Sequence, residues 1–251
     1  MLEGQWAVVT GGSKGIGLGA AEALVAESAN VVLVARDQAA LDAAADKLRG
    51  AAGPGQRVET VAADTVDRAE VDRLFTHLAA ELPALNIFVA NVGYGIMRPF
   101  LELSDEDWDG IVTTNLTGTF RCAQAAARLM RDRPRGNRSI IVISSIRSGG
   151  VRPGTLPYAT TKAGLNQFVR VAAYELAPLG IRVNAVLPGL VVTPMSLANN
   201  PDVAKLGAEL APLGRAGEAA DVAQAVLYLA NPAASFVTGT NLVVDGGESL
   251  W

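Results

Sequence analysis

The stretch Trp6-Ala-Val-Val-Thr10-Gly11-Gly-Ser-Lys-Gly15-Ile-Gly17, close to the amino terminus, decides the fold. Its first five residues are mostly apolar and β-branched, which predicts a buried strand, and an Ala-rich helix over Gly15–Ala29 follows the glycines. Glycines let a backbone approach a pyrophosphate, whose charge is stabilised at a helix N-terminus. A flexible turn is the alternative, and the spacing Gly11-x-x-x-Gly15-x-Gly17 differs from G-x-G-x-x-G.

The same alternation of strand and helix continues along the chain. Several strand candidates are apolar throughout, as is typical of parallel strands that helices cover on both faces. The pattern predicts one domain over 1–251, an α/β fold with a doubly wound parallel sheet and right-handed crossovers. The strand candidates are Trp6–Thr10, Val31–Ala35, Arg57–Ala63, Ile87–Asn91, Ser139–Ser144, Arg182–Leu187 and Thr240–Val244.

Helices are predicted between these strands. Asp67 with Glu70 and Ser104 with Asp107 are typical N-terminal caps, and the Gly-rich stretch from Gly50 predicts a loop. Helix ends are indicated by Pro83, Pro134, Pro178 and Pro232. Besides Gly15–Ala29, the helix candidates are Gln38–Arg49, Arg68–Leu82, Asp105–Arg131, Tyr158–Leu179 and Ala219–Leu229.

Composition excludes several function classes. Of 251 residues, half are hydrophobic and 18% are charged, and the net charge of −4 offers no attraction to nucleic acid or anionic membranes. One Cys (Cys122) and one His (His77) cannot form a disulfide or a common metal site. We interpret Cys122 as core filler and His77 as a helix-surface residue. Without a basic leader or a long apolar run, we expect a soluble, cytoplasmic protein.

Tyr158 and Lys162 form the most chemically suggestive pair. They lie four residues apart, hence on one face of a helix, and Tyr158 follows Ser145 by thirteen residues. A phenol with a pKa near ~10 is a poor base at neutral pH, but an ammonium within about 4 Å favours the phenolate by up to about three pKa units. A solvated surface pair is the alternative interpretation.

These residues occur with further motifs in one order and spacing. They are Thr10-Gly11-x-x-x-Gly15-x-Gly17, Asn91-Val92-Gly93, Asn115, Ser145, Tyr158-x-x-x-Lys162, Pro188-Gly189-x-x-x-Thr193 and Val244-Asp245-Gly246-Gly247. The whole chain thereby resembles the short-chain dehydrogenase/reductase family, and most of all its 3-oxoacyl-carrier-protein-reductase-like branch. The resemblance implies a Rossmann-type, seven-stranded sheet in the order 3-2-1-4-5-6-7. Two places depart from the family pattern: Ala90-Asn91-Val92-Gly93 stands for the usual Asn-Asn-Ala-Gly, which removes one polar side chain but keeps Asn91, and Ser28 stands where the family commonly has a glycine.

The resemblance also implies an enzyme and its catalytic residues. Tyr158 would exchange a proton with the oxygen of a carbonyl or alcohol, and Ser145 would hydrogen-bond that oxygen. Lys162 would bind the nicotinamide ribose and keep the phenol acidic, while Asn115 would hold a water chain to Lys162. From the residues alone, Asn115 would be an ordinary exposed helix residue. A non-enzymatic NADP(H)-binding sensor or regulator with the same fold remains the alternative.

Cofactor residues follow from the same resemblance. Asp64 would contact adenine, with a turn-capping Asp as the alternative, and Val191 and Thr193 would meet the carboxamide. Ala35, at the end of the second strand, leaves room for a 2′-phosphate that Arg36 and Lys14 would bind, which predicts NADP; ordinary surface charges are the alternative. The predicted cofactor contacts are Gly11, Ser13, Lys14, Gly15, Ile16, Gly17, Arg36, Asp64, Asn91, Gly93, Tyr158, Lys162, Pro188, Gly189, Val191 and Thr193.

Substrate and partners are less defined by the sequence. The stretch 190–215 falls where the family has its substrate lid, and its apolar residues favour a medium-sized hydrophobic ketone or acyl chain over a free sugar; packing of a surface helix pair is the alternative. Arg147 would meet an anionic substrate or remain solvated. By resemblance the protein would be a homotetramer, with interfaces on helices 105–131 and 158–179 and on the last helix and strand. An acyl carrier protein is a possible but unsupported partner for the run Arg128, Arg131, Arg133, Arg135 and Arg138.

Overall fold

A seven-stranded, fully parallel sheet forms the centre of the molecule, in the order β3-β2-β1-β4-β5-β6-β7. The computed structural model describes residues 1–133 and 136–250. The strands are β1 (Trp6–Thr10), β2 (Asn30–Ala35), β3 (Val58–Ala62), β4 (Ile87–Ala90), β5 (Ser139–Ile143), β6 (Arg182–Pro188) and β7 (Asn241–Val244). This confirms the predicted fold class and strand order.

Helices cover both faces of the sheet, which explains the continuous apolar strands. One core layer packs α1, α2 and α9 against the sheet, and the other packs α3, α5 and α6. The helices are α1 (Gly15–Ala26), α2 (Gln38–Ala51), α3 (Arg68–Glu81), α4 (Asp105–Ile111), α5 (Thr119–Arg131), α6 (Leu156–Leu176), α7 (Pro194–Asn199), α8 (Val203–Leu210) and α9 (Ala219–Ala230).

The predicted caps of two helices are confirmed. Asp67 accepts a hydrogen bond from the amide of Glu70 at 3.0 Å, and Ser104 accepts one from the amide of Asp107 at 3.1 Å. Each bond satisfies an amide that has no partner within its helix. Of the described helices, none is long and apolar enough to cross a membrane. Pro134, which was predicted to mark a helix end, lies outside the described residues.

Four predicted boundaries need correction. The expected helix Asp105–Arg131 is interrupted by a π-helical segment over Val112–Gly118, which inserts an extra residue per turn. Gly50, expected in a loop, lies inside α2, where its exposed position tolerates a residue of low helix propensity. Helix α6 begins at Leu156, two residues before Tyr158. Helix α1 ends at Ala26 because Ser28 has a left-handed φ of 70°, as its replacement of a glycine suggested.

Candidate active site

The glycine loop after β1 is restricted by its neighbours. Gly11 and Gly15 have φ values of 63° and 57°, which favour glycine. A Cβ on Gly17 would lie 2.2 Å from the carbonyl oxygen of Gly11, and one on Gly12 would lie 2.9 Å from that of Val9. The loop therefore requires glycines for its own close packing, and it brings the backbone to the N-terminus of α1.

Asn91 fixes this loop from the end of β4. Its side-chain amide donates to the carbonyl oxygens of Thr10 and Gly11, at 3.1 and 3.2 Å. Its backbone amide donates to the Thr10 hydroxyl at 3.1 Å, and that hydroxyl donates to the carbonyl of Val89. The departure at Val92 leaves these bonds intact, so the predicted role of Asn91 as a member of this site has a clear structural basis.

The N-terminus of α1 is open to an anion. Lys14 precedes the helix without a side-chain cap, and the first turn carries no acidic residue. Ser13 and Ile16 are half-buried beside the exposed Lys14. A phosphate group suits this geometry, because free amides and the helix dipole both stabilise negative charge there.

Arg36 extends into solvent directly after β2. Its guanidinium lies 3.8 Å from the Asp64 carboxylate, and its side chain is 77% exposed. Asp64 also accepts a hydrogen bond from the amide of Val66 at 3.0 Å, which is the turn-capping role that its alternative interpretation predicted. Asp37 caps α2 through the amide of Ala40 at 3.1 Å. An exposed ion pair of this length is weak, so the Arg36 guanidinium remains available to an anion that binds it more strongly.

A cavity of about 540 Å³ adjoins Arg36. Val66 and Tyr94 line it together with residues of α4 and the π-helical segment: Asp109, Gly110, Thr113 and Thr114. Gly110 gives space to the Tyr94 ring, since a Cβ there would lie 2.6 Å from the phenol oxygen. The cavity thus joins Arg36 to the loop after β4.

The π-helical segment turns Asn115 into the protein. Asn115 is fully buried; its side chain accepts from the amide of Tyr94 and donates to the Tyr94 carbonyl, both at 2.9 Å. A Cβ on Gly93 would lie 3.2 Å from the Asn115 amide oxygen and 3.5 Å from Lys162 Nζ. The structure therefore brings Asn115, Gly93 and Lys162 together, and the exposed position expected from the residues alone is wrong.

Ser145 and Tyr158 are the two hydroxyl-bearing residues at the centre of the candidate site. Ser145 follows β5, is 6% exposed and lies near the half-buried Tyr158. Burial raises the pKa of the Tyr158 phenol, while Ser145 and the charge of Arg147 lower it less strongly. The phenol therefore keeps its proton at neutral pH in the cofactor-free protein.

Lys162 lies one turn along α6 from Tyr158. Its Nζ is 5.6 Å from the Tyr158 ring centroid and donates to the carbonyl of Ile143 at 2.7 Å. Burial lowers the pKa of Lys162 to about 8, because an ammonium loses its hydration there. The side chain is consequently still charged in most molecules at neutral pH, close enough to its pKa for a nearby ligand to change its protonation.

Three residues that the sequence analysis did not select hold this centre in place. The Ser144 hydroxyl donates to the Lys162 carbonyl at 3.1 Å and to the Asn166 amide oxygen at 2.7 Å. Asn166 in turn donates to the Ser148 hydroxyl at 2.7 Å, and Ser148 donates to the Ser145 carbonyl at 2.6 Å. Asn166 lies four residues after Lys162 on the same helix face, a spacing that was visible in the sequence.

Arg147 forms a buried ion pair with Glu248. The side chains are 18% and 4% exposed, and Glu248 also accepts from the amide of Leu190 at 2.7 Å. The expectation of a solvated Arg147 is wrong, because its charge is paired within the protein, and contact with an anionic substrate stays a prediction. Sequence analysis missed Glu248 because the two residues lie 101 positions apart.

The segment 190–215 begins where β6 ends and contains α7 and α8. Thr193 caps α7 by accepting from the amide of Ser196 at 3.1 Å, and Val191 pairs with Gly217. A Cβ on Gly15 would lie 3.5 Å from the Thr193 Cβ, so the glycine loop and this segment meet. Pro188 and Gly189 connect β6 to the segment. Its exposed apolar side chains are those of Met195, Leu197, Leu210 and Leu213.

The remaining candidates lie away from this site. His77 is exposed on α3, and Cys122 is 2% exposed, with burial raising its pKa to about 12. Both interpretations from the sequence are confirmed. Arg138 is 6% exposed and donates to the Leu179 carbonyl at 2.8 Å, and Arg131 pairs with Asp132. The basic run therefore does not present Arg138 to a partner, and Arg135 lies outside the described residues.

Comparisons with known proteins cover nearly the whole chain. A family model described as Enoyl-(Acyl carrier protein) reductase matches residues 11–249. Galactitol 2-dehydrogenase (L-tagatose-forming) of Cereibacter sphaeroides is 36% identical over 255 residues, covering 100% of this chain and 97% of the relative. The 3-oxoacyl-(acyl-carrier-protein) reductase FabG of Escherichia coli K12 is 36% identical over 246 residues, covering 98% of each chain.

Solved structures agree with these relatives. A short-chain type dehydrogenase/reductase from Mycobacterium marinum superposes with a TM-score of 0.92 at 34% identity, covering 99% of this chain and 96% of the other. Levodione reductase gives a TM-score of 0.93 at 28% identity, covering 100% and 99% of the two chains. The chain belongs to the short-chain dehydrogenase/reductase family and is an oxidoreductase of that family.

Proposed function

We propose that this protein is an NADP(H)-dependent oxidoreductase that interconverts a carbonyl and a secondary alcohol. The observation that carries this proposal is the convergence of Asn115, Ser145, Tyr158 and Lys162 at the ends of β4 and β5. A pure cofactor sensor has no need of a half-buried phenol beside a serine hydroxyl and a lysine whose pKa is lowered. This grouping of a proton donor with a cation therefore favours an enzyme over a sensor.

The proposed chemistry divides among these residues. The bound nicotinamide supplies or accepts the hydride. Ser145 donates a hydrogen bond to the substrate oxygen, and Tyr158 gives that oxygen its proton in reduction or takes it in oxidation. Lys162 contributes positive charge beside the phenol and offers its ammonium to the ribose hydroxyls. Asn115 keeps the loop after β4 at a fixed distance from Lys162.

The cofactor assignment rests on the fit between the loop and a dinucleotide. The glycine cradle, the uncapped N-terminus of α1 and the exposed cations Lys14 and Arg36 suit a pyrophosphate and a 2′-phosphate. Ala35 leaves the end of β2 without the carboxylate that would repel a 2′-phosphate. Asp64, which pairs with Arg36, and the cavity lined by Val66 would then receive the adenine end of the cofactor.

The substrate proposal rests on the segment 190–215 as a lid. Met195 is 41% and Leu197 43% exposed, and across the site the loop after β4 exposes Tyr94 and Met97. Asn199 reaches that loop through a 3.4 Å hydrogen bond to the Gly95 carbonyl. Apolar walls on both sides favour a medium-sized hydrophobic ketone or acyl chain over a free sugar.

We further propose a cytoplasmic homotetramer. On α5 and α6, Phe120, Val171 and Tyr174 are exposed, and the carboxyl-terminal region exposes Tyr228 and Phe236. Large apolar side chains grouped on two surfaces are typical of subunit interfaces. Light scattering at micromolar concentration should give four times the chain mass, and a monomeric mass would contradict the proposal.

A substrate panel tests the proposed activity. Purified protein is mixed with NADPH and with ketones, β-keto thioesters, quinones and sugars, and absorbance of the reduced cofactor is followed. We expect cofactor consumption with at least one aryl or alkyl ketone. Tight NADPH binding without consumption on any member of the panel would instead support a sensor.

A further inference from the structure

The buried ion pair between Arg147 and Glu248 joins three parts of the candidate active site. Arg147 lies in the turn that follows Ser145, and its backbone amide donates to the Ser145 hydroxyl at 3.1 Å. Glu248 lies in the carboxyl-terminal turn, and its second oxygen accepts from the amide of Leu190, the first residue of the segment 190–215. One pair therefore connects the serine turn, the base of the segment and the end of the chain.

The backbone around the pair leaves space for it. A Cβ on Gly189 would lie 2.7 Å from the Glu248 carboxylate, so a side chain at this position would displace the carboxylate. Asp245 accepts from the amides of Gly247 and Ser249, at 2.9 and 2.8 Å, and thereby holds the turn that carries Glu248. Gly189 on one side and the turn held by Asp245 on the other therefore fix the position of the Glu248 carboxylate.

Few charged groups face the Tyr158 phenol in the described residues. Lys162 Nζ lies 5.6 Å from its ring centroid, Arg147 follows Ser145 by two residues and its charge lowers the phenol pKa, and Glu248 is paired with Arg147. Lys162 loses its proton near pH 8, whereas a guanidinium stays charged at every working pH. Arg147 is thus the permanent cation of the site, and Glu248 offsets part of its field.

We propose that Arg147, held in place by Glu248, is a positioning residue that orients Ser145 and supplies a permanent positive charge beside the Tyr158 phenol. This role rests on the proposed function for its link to proton transfer. Removing the guanidinium should make the phenol harder to ionise, and removing the carboxylate should make it easier, because the two charges have opposite signs at the same place. A purely structural pair would not produce opposite shifts.

The test reads the ionisation of Tyr158 directly in cofactor-free protein. Biosynthetic 3-fluorotyrosine acidifies the phenols, and ¹⁹F NMR over a pH series resolves them, with Tyr158→Phe assigning the signal. We expect the Tyr158 midpoint to rise by about one pH unit in Arg147→Gln and to fall in Glu248→Gln. Arg147→Lys should restore the wild-type midpoint, and Arg68→Gln, which removes an exposed arginine of α3, should leave it unchanged.

The double variant Arg147→Gln/Glu248→Gln guards against loss of folding, because it leaves no unpaired buried charge. Its midpoint should lie between those of the single variants. Shifts of both single variants in the same direction, the absence of a shift in either, or failure of Arg147→Lys to restore the midpoint would overturn the proposal.

The activity arm separates this proposal from the proposed function. In alcohol oxidation, the acid limb of the kcat/KM pH profile should move in the same directions as the NMR midpoints. Opposite NMR shifts in a protein that turns over no substrate would support the charge arrangement and overturn the proposed function. Normal turnover with unchanged NMR midpoints would support the proposed function and overturn the charge arrangement.

Discussion

The glycine loop over 11–17 and the segment 190–215 meet beside Thr193, yet different factors restrict them. In the loop, an added Cβ on Gly17 would lie 2.2 Å from a backbone oxygen, whereas the segment leaves Leu213 74% exposed and Met195 41% exposed. The loop is determined by its own backbone packing. The segment leaves several apolar side chains exposed. Backbone packing therefore explains why a glycine motif marks the first region, whereas no such constraint fixes the side chains of the second.

A large loss of turnover is expected at Lys162, whose Nζ lies 5.6 Å from the Tyr158 ring centroid. Lys162→Met should reduce kcat by at least about a hundredfold, because it removes the charge beside Tyr158. The same change also removes a buried charge, so it should stabilise the cofactor-free protein by up to about 3 kcal/mol at pH 7. Loss of the hydrogen bond from Lys162 to the Ile143 carbonyl reduces this gain. Urea unfolding and steady-state kinetics measure the two effects.

The sign of the stability effect follows from the lowered pKa. Between about pH 8 and the ordinary lysine pKa of 10.5, the unfolded chain binds a proton that the folded protein does not. Below about pH 8, the protonated Lys162 therefore destabilises the folded protein. The gain in stability from Lys162→Met should disappear as the pH rises from about 8 to 10.5. The exposed Lys205 of α8 provides the control: Lys205→Met removes a lysine that is not buried, and a similar gain in stability at pH 7 there would contradict the account.

Two glycine substitutions test the loop itself. Gly17→Ala should weaken NADPH binding by at least about a hundredfold and destabilise the protein by about 1–3 kcal/mol, because its Cβ meets backbone. Gly50→Ala is the matched control, since nothing lies within 4 Å of its added Cβ and it lies inside α2. Gly50→Ala should stabilise the protein by about 0.5–1 kcal/mol and leave its affinity for NADPH unchanged. Calorimetry measures both, and a Gly17→Ala protein that binds NADPH normally would remove the contrast between the regions.

We expect cofactor preference to depend on the exposed side chain of Arg36, directly after β2. Wild-type protein should favour NADPH over NADH by tenfold or more in kcat/KM, because charge-assisted hydrogen bonds are worth ~1.5–3 kcal/mol each. Arg36→Ala should remove most of this preference and leave NADH nearly unaffected. Arg68→Ala, in α3, should keep it. Equal kcat/KM values for the two cofactors in the wild type would contradict the assignment of NADP.

The smallest effect is expected in the segment 190–215. Met195→Ala should lower kcat/KM for an aryl or alkyl ketone by about two- to tenfold, in line with the loss of roughly 1 kcal/mol of apolar contact, while the Kd for NADPH stays constant. Sugar reduction by the same variant should not change. If the wild type reduces sugars faster than ketones, the apolar walls do not define the substrate.

Local signals predicted most of the fold from the sequence. Strands that are apolar throughout and caps such as Asp67 depend on residues a few positions apart, and the structure has them at the expected places. The π-helical segment was not predictable in this way. It depends on the burial of Asn115 against Tyr94, a tertiary contact that overrides the regular helical periodicity.

The candidate site shows the same division. Ser145, Tyr158 and Lys162 carry a spacing that could be interpreted from the chain, whereas Glu248 reaches Arg147 only through the fold. Burial is the second property that the sequence did not reveal. The sequence indicated a positive charge that would lower the Tyr158 pKa, but burial of the phenol raises this pKa and is the largest effect.

Turnover and cofactor binding measured together on wild type and Tyr158→Phe test the central claim most directly. The substitution removes one oxygen, and the claim is that this oxygen carries the proton. We predict a loss of kcat of ~10²–10⁴ with the Kd for NADPH within about twofold of wild type. A variant that keeps more than about a tenth of wild-type kcat would contradict the claim.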